Sequence, residues 1–348
     1  MISFQLITFL MNRIFRRIIT IAVLTVVLVS ALFLWRPAFN SAHRFLSKTQ
    51  KVKANLLVVE GWLPQSALQL AGKEFLNKGY DLIITTGIKS KDLDYSTISS
   101  NGYLIFYPHL KSFLDNDTGP HTIEVVAHSK MNGKYEAHFN FFVNDSLISD
   151  FKADKQVRKY GISWQGPLKD IDSIMIQFDN DLWDKYGDRN LYVKEIVIDN
   201  KTIIPYQFNS VLDMSSLDGK ERISNNFDSN AELCRNRLIA YGIDSNLIIA
   251  LPAKRVIINR TLTSVLAFRE WLNSTDKHVT GINVISLGVH SRRSWIIYKK
   301  IVGRPYEVGI ISLPEDEKNE SQKPRILSIL YEVIGIVYYR IILNYFTI

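Results

Sequence analysis

The sequence predicts an α/β protein in which a doubly wound parallel sheet is interrupted by an inserted antiparallel β-sandwich and preceded by an N-terminal transmembrane helix. Three observations predict it. Short apolar strands alternate with helical segments early in the chain and again over its last third. Between these stretches the apolar period switches from helical to two. Ahead of both lies a run of 18 uncharged residues, Ile18–Trp35.

Composition bounds the alternatives. With 348 residues, 47% hydrophobic and 22% charged, the chain has room for two folded domains. Disordered, collagen-like and coiled-coil classes are excluded. The net charge of +8 is spread along the chain without a dense Lys/Arg patch, so no nucleic-acid partner is expected. A single cysteine, Cys234, excludes an intramolecular disulfide and a cysteine-cluster metal site.

At about 1.5 Å per residue, Ile18–Trp35 spans about 27 Å, close to a hydrocarbon core of about 30 Å. It is longer than a signal-peptide core and ends Leu34-Trp35-Arg36-Pro37, without a small-residue cleavage site. An uncleaved, single-pass anchor is expected. Arg13, Arg16 and Arg17 precede it, which places the body on the extracytoplasmic (periplasmic) side, although Arg36, Arg44, Lys48, Lys51 and Lys53 follow it.

The α/β domain is expected in two pieces, 55–99 and 208–323. Asn55–Glu60 reads as a buried strand, and Gly61-Trp62-Leu63-Pro64 breaks it. Pro64 opens a helix with Leu68, Ala71, Phe75 and Leu76 on one face, stopped by Gly79. Asp81–Thr86 is the next strand, ended by Gly87. The pattern resumes with a helix at Asn230–Tyr241 and a strand at Asn246–Leu251. A helix at Thr261–Leu272, a strand at Ile282–Leu287, a helix at Ser291–Val302 and a strand at Tyr306–Leu313 complete it. Such alternation argues for one doubly wound sheet.

The insertion, 100–207, has no helical period. His121–Lys130, Lys134–Asp145, Asp172–Asp181 and Asn190–Asn200 read as strands. Ala137, Phe139, Phe141 and Val143 alternate with polar neighbours, as do Ile174, Ile176 and Phe178. One apolar face per strand is the pattern of an antiparallel sandwich. After Pro324, residues 324–346 form an apolar helix containing Glu332 and Arg340. Those charges argue for a helix docked on the sheet or lying at the membrane surface rather than a second span.

Two constellations carry chemistry. In the insertion, Asp179, Asp181, Asp184 and Asp188 fall within ten residues, beside Trp183 and Tyr186. Calcium takes about 6–8 hard oxygen ligands, and a vicinal diol supplies two. Asp and Asn also build turns, an Asp188–Arg189 ion pair is an alternative, and the two aromatics could cover the core instead. In the α/β domain, Ser286-Leu287-Gly288-Val289-His290-Ser291-Arg292-Arg293-Ser294 lies where a strand meets a helix. Strand carboxyl ends and helix N-termini gather ligands and anions. His290 is the candidate acid or base, and Arg292 and Arg293 the anion binders. Glu60, Thr86, Gly87, Arg260 and Thr261 reach the same rim. Ser286, Ser291 and Thr86 are the available hydroxyl nucleophiles, none in a G-x-S-x-G elbow. There is no G-x-G-x-x-G or P-loop signature.

Phe178-Asp179-Asn180-Asp181 and Gly187-Asp188-Arg189-Asn190-Leu191-Tyr192-Val193, with Gly133-Lys134-Tyr135-Glu136 and Val143-Asn144-Asp145, resemble the calcium-dependent, xylan-binding class of carbohydrate-binding modules. The resemblance implies a loop calcium that grips sugar hydroxyls. Asp181, Asp188 and Glu136 would be its ligands, and Trp183, Tyr186 and Asn190 would contact sugar. The order V-V-E-G-W-L-P, I-I-T-T-G, N-R-T and S-L-G-V-H-S-R-R-S resembles the YdcF/ElyC/SanA-like family of envelope proteins, a domain of unknown function (218) with a Rossmann-like sheet. His290 and Arg293 match its terminal H-x-x-R, and Arg260-Thr261 its helix start. Thr86-Gly87 matches its second strand end, with Ile88 in place of a second glycine, and Glu60-Gly61 replaces its glycine pair. This resemblance implies a role in envelope polysaccharide, peptidoglycan or lipid-carrier metabolism. The expectation is therefore a membrane-anchored protein that binds carbohydrate and, in the cleft, a phosphorylated or lipid-linked glycan. The alternative is a non-catalytic scaffold that recognises polysaccharide.

Overall fold

The computed structural model describes residues 39–344, apart from 90–93, 111–118, 131–134, 185–186, 217–218, 304 and 316–321. The expected span Ile18–Trp35 lies outside the described residues. Among the described residues, no helix is long and apolar enough to cross a membrane.

A helix at 39–46 (α1) leads into β1 (Leu56–Glu60), α2 (Gln65–Lys78) and β2 (Leu82–Ile88). Antiparallel strands follow: β3 (Ser96–Ile98), β4 (Gly102–Phe106), β5 (His121–Lys130), β6 (Ala137–Val143), β7 (Ser146–Ala153), β8 (Arg158–Trp164) and β9 (Ile174–Phe178). Next come the short β10 (Trp183–Asp184) and β11 (Gly187–Asp188), then β12 (Asn190–Ile198), β13 (Thr202–Pro205), β14 (Ser210–Ser216) and β15 (Gly219–Ser224). The chain then alternates α3 (Asn230–Ala240), β16 (Ile248–Ala253), α4 (Arg260–Ser274), β17 (Ile282–Leu287), α5 (Ser291–Val302) and β18 (Val308–Leu313). It ends in α6 (Gln322–Ile342).

The parallel sheet has the order β16-β2-β1-β17-β18. In chain order this is 3-2-1-4-5, so the direction of winding reverses between β1 and β17. A crevice opens at that switch point, beyond the strand carboxyl ends. Helices cover both faces. Leu68, Ala71 and Phe75 of α2 pack with Cys234 and Leu238 of α3 on one side. Val265 and Phe268 of α4 meet Ile297, Tyr298 and Ile301 of α5 on the other. Each fully buried side chain of this kind contributes roughly 1.5–3 kcal/mol. Leu76, expected on the buried face of α2, is 64% exposed. Ala67, Leu68, Ala71, Gly72 and Phe75 already complete the stripe, and position 76 turns out of it.

The sandwich is two antiparallel sheets, β13-β12-β5-β8 with β3 on β12, and β15-β14-β4-β9-β6-β7. Phe139, Phe141, Ile176 and Phe178 of one sheet face Ile123, Val125, Leu191 and Val193 of the other across a single core. Antiparallel pairing runs from Ser96 to Ser224, beyond both limits expected for the insertion, because β3, β14 and β15 join these sheets. The chain leaves the parallel sheet after β2 and returns at α3. Ser229 and Glu232 cap α3 reciprocally, and Asn236 donates to the Ser224 carbonyl at 2.8 Å, tying α3 to β15.

Gly61 and Gly87 end β1 and β2 where backbone passes against backbone. A Cβ on Gly61 would stand 2.4 Å from the Asn230 carbonyl oxygen, and one on Gly87 2.7 Å from the Ala231 nitrogen. Rigid backbone cannot yield as a side-chain tip can. Gly61→Ala is expected to cost about 1–3 kcal/mol, read as a drop in thermal midpoint. Gly79→Ala, with open space around it, serves as a control for backbone strain alone, since its φ is +70°.

Candidate functional site

The crevice is a cleft of about 350 Å³ lined by Glu60, Trp62, Thr86, Gly87, Asn259, Arg260, Thr261, His290, Arg293 and Tyr339, among others. Seven residues proposed from sequence thus meet in one cavity: Glu60, Thr86, Gly87, Arg260, Thr261, His290 and Arg293. Arg292 is not among them. Its Nε donates to the Phe45 carbonyl, and its guanidinium lies over the Phe45 ring at 3.7 Å. Adjacent helical residues point about 100° apart, so Arg293 faces the cleft and Arg292 faces α1.

Glu60 forms the floor. It is 3% exposed, and Ser286 and Ser294 donate to its two oxygens at 2.6 and 2.8 Å. Ser291 donates to the Gly288 carbonyl, and Thr86 pairs with the Tyr298 hydroxyl at 3.0 Å. Burial, and then the charge of Glu60, push the Tyr298 phenol above its ordinary range. Every hydroxyl proposed as a nucleophile therefore has a partner in the wall, and Ser286 and Ser291 are fully buried.

The cation side is built around Glu332 of α6. Arg293 Nη2 donates to Glu332 Oε1 at 3.1 Å, and Arg293 Nε lies 2.9 Å from Oε2. His290 Nδ1 sits 2.8 Å from Arg293 Nη2 and 3.0 Å from Glu332 Oε1. A guanidinium only donates and a carboxylate only accepts. A bare Nδ1 is thus matched by Arg293 and an N–H at that atom by Glu332. The Nε2 of His290 is buried in the cleft wall without a hydrogen-bond partner among the described residues. Trp62 packs edge-on against the ring, centroids 4.8 Å apart. At the mouth, α4 begins with Arg260 and Thr261, and Asn259 provides no side-chain cap for its first turn. Uncapped N–H groups beside an arginine suit an anion.

In the sandwich, Asn180 staples the loop. It accepts from the His138 N–H at 2.8 Å and donates to the Glu136 carbonyl at 3.1 Å. The Asp181 N–H donates to Asn101 at 2.8 Å. The loop turns back through β10 and β11, pairing Trp183 with Asp188. Burial, then the charge of Asp188, raise the Asp181 carboxyl above its usual range. Asp181 Oδ1 and Asn190 Oδ1 are buried without a donor among the described residues, while Asn190 Nδ2 donates to Asp188 Oδ2 at 2.8 Å. Buried oxygens facing a like charge without donors are what a hard cation needs. Among the described residues no three His, Cys, Asp or Glu side chains gather for an ion, so the carboxylates described here are two. The donor chemistry fits calcium, with Asn190 as a third oxygen. Arg189 does not pair with Asp188. It donates to the Asn180 carbonyl at 2.6 Å and lies over the Tyr135 ring. Glu136 meets the loop through its backbone carbonyl, which accepts from Asn180, and its charge also acts on Tyr160. Tyr186 and the side chain of Trp183 lie outside what is described.

Acid should act on this loop with a definite sign. A raised Asp181 binds protons more tightly folded than unfolded, so metal-free stability increases as pH falls through its raised value and is lost as pH rises. With calcium present the order reverses, because the ion needs the carboxylate. Thermal melts from neutral to mildly acidic pH, with calcium and with chelator, should therefore converge.

Sequence reasoning missed Tyr339, which lines the cleft from α6, Glu332, which holds the cleft residues Arg293 and His290 from the same helix, and Trp62, which it reads only as a break in the strand. No curated protein matches the chain. A crystal structure of the CBM36-1 domain of a multidomain xylanase, from the hindgut metagenome of Trinervitermes trinervoides, aligns over 29% of this chain and 73% of its own. Identity is 10% and the TM-score 0.21. Residues 122–213, the heart of the sandwich, match the family CBM60, described as a Ca-dependent, xylan-binding carbohydrate-binding module.

Proposed function

We propose that the chain is a membrane-anchored envelope protein that holds a xylan-like glycan on its sandwich and an anionic group of a phosphorylated or lipid-linked glycan in its cleft. The observation that carries the reading is that Asp181 Oδ1 and Asn190 Oδ1 are buried without a donor among the described residues, beside the Asp188 carboxylate, in the segment matched to a xylan-binding family. Asp181, Asp188 and Asn190 would hold calcium, which when bound supplies a Lewis-acidic centre for vicinal hydroxyls. The protein's own part is to keep the loop in place through Asn180 and Arg189. In the cleft, Arg293, Arg260 and the first turn of α4 would bind the anion. His290 would turn its Nε2 toward the ligand. The order of cleft motifs along the chain supports a YdcF-like body, and Ile18–Trp35 supports an anchor.

Titration calorimetry of the full chain in detergent with xylo-oligosaccharides tests the sugar reading. Binding is expected with calcium and lost with chelator. Equal binding in both sinks the calcium role, and no binding in either sinks the sugar role. A second reading, a scaffold without catalysis, is favoured by the fully engaged hydroxyls around Glu60. It predicts phosphate binding in the cleft without turnover of any phosphorylated glycan.

A further inference from the structure

The helix α6 is apolar on two opposite sides. Its inner stripe, Ile329, Glu332, Ile336, Tyr339 and Leu343, faces the body. Its outer stripe, Leu327, Leu330, Ile334, Val337 and Ile341, repeats at spacings of three and four, and each residue is between 53 and 64% exposed. A helix apolar all round is ordinarily covered on both sides.

On and just after α1 and on α5, the elements packed against α6, the body presents cations and aromatic rings. Lys48 and Lys299 both lie over the Trp295 ring, 3.5 and 4.8 Å from its centre, and Arg292 lies over the half-exposed Phe45. Arg292 and Lys299 repel Lys48, and Arg340 repels Arg292. Among the described residues, none of these four cations has a carboxylate within ion-pair distance. Clustered cations with aromatic rings beside an apolar stripe match the chemistry of a headgroup layer.

The chain's own path says which surface covers it. Leu46 of α1 packs on Ile329 and Ile336 of α6. The uncharged segment Ile18–Trp35 ends four residues before α1 begins. A second copy of the chain would bring the same four cations face to face. We propose that the outer stripe of α6 and its basic, aromatic rim form a lipid-contacting surface that rests on an anionic bilayer. The helix lies in the interface and does not cross it: Glu332 is spent on Arg293 and His290, and Arg340 stands exposed where its long stem can reach headgroups. The cleft, walled by Tyr339 of the same helix, then opens close to lipid.

This inference rests on the anchored reading, and one preparation separates the two. Full-length Ile334→Cys and Leu76→Cys carry an environment-sensitive fluorophore in vesicles of phosphatidylcholine and phosphatidylglycerol doped with a spin-labelled lipid. Native Cys234 is fully buried with its thiol pushed up to about 12, so it does not compete for the label. Leu76 is exposed on the opposite face of the sheet. The probe at 334 is expected to be quenched several-fold more than that at 76, and less in vesicles of phosphatidylcholine alone. If the chain floats with vesicles but 334 is quenched no more than 76, the α6 surface is wrong and the anchor stands. If 334 is shielded from aqueous iodide yet untouched by spin-labelled lipid, protein covers the stripe and the inference fails. Equal quenching on neutral lipid overturns the role of the cations. A chain that does not float overturns both readings.

Discussion

Asp188→Ala is expected to abolish calcium-dependent xylan binding while the sandwich stays folded. Asp188 is one of two carboxylates the loop brings together, and its charge is felt by Asp181. Changing groups that merely orient a metal's ligands costs about 10–100-fold in affinity, so deleting a direct ligand should cost at least about 100-fold. The fold should survive. The described hydrogen bond of the Asp188 side chain is to Asn190, and losing one buried partner costs about 1–3 kcal/mol. The core of Phe139, Phe141, Ile176 and Phe178 is untouched. Asp188→Asn keeps the shape and an acceptor for Asn190 but removes the charge. It should lose calcium as well, which separates charge from geometry. Calorimetry with calcium and xylo-oligosaccharide, beside circular dichroism, reads both. Full sugar affinity in either variant would end the calcium account.

The elements legible in the sequence are those whose burial is one-sided and regular. β6 alternates buried and half-buried positions from Ala137 to Val143, and β9 does so from Ile174 to Phe178. The bounds of α5 coincide with Ser291 and the residue before Gly303. Four of the strands that the sequence does not announce, β7, β8, β14 and β15, give no such signal. Most positions of β7 and β8 are exposed or half-exposed, so no apolar period marks them. β14 and β15 read as Ser-rich and charged, and they are strands because β4 offers β14 a hydrogen-bonding edge and β14 in turn offers one to β15. The cleft was legible as far as strand ends and helix starts define it. Glu332 was not, because a charge in an apolar helix shows only that it must be paired. The partner depends on where the helix docks.

That docking makes Glu332→Gln the most informative change in the α/β domain. The Glu332 carboxylate lies against Arg293 and His290, where an anionic ligand would bind. Removing one member of a buried ion pair costs about 3–5 kcal/mol. Glu332 is 8% exposed, but the Arg293 side chain is 24% exposed, so the lower end is expected. The ligand-free variant should melt earlier. Phosphate binding should move the opposite way. A like charge about 4 Å from a bound anion opposes it by about 4 kcal/mol at an effective dielectric near 20. Part of that is already offset, since Arg293 must leave Glu332 to meet the ligand. Affinity for inorganic phosphate should therefore rise about tenfold or more, worth at least about 1.4 kcal/mol, and phosphate should restore much of the lost melting temperature. Arg293→Ala is the opposing control: it strands Glu332, lowers stability, and should gain nothing from phosphate. A Glu332→Gln protein that is destabilised but indifferent to phosphate would show that the cluster of His290, Arg293 and Glu332 only clamps α6 to the sheet.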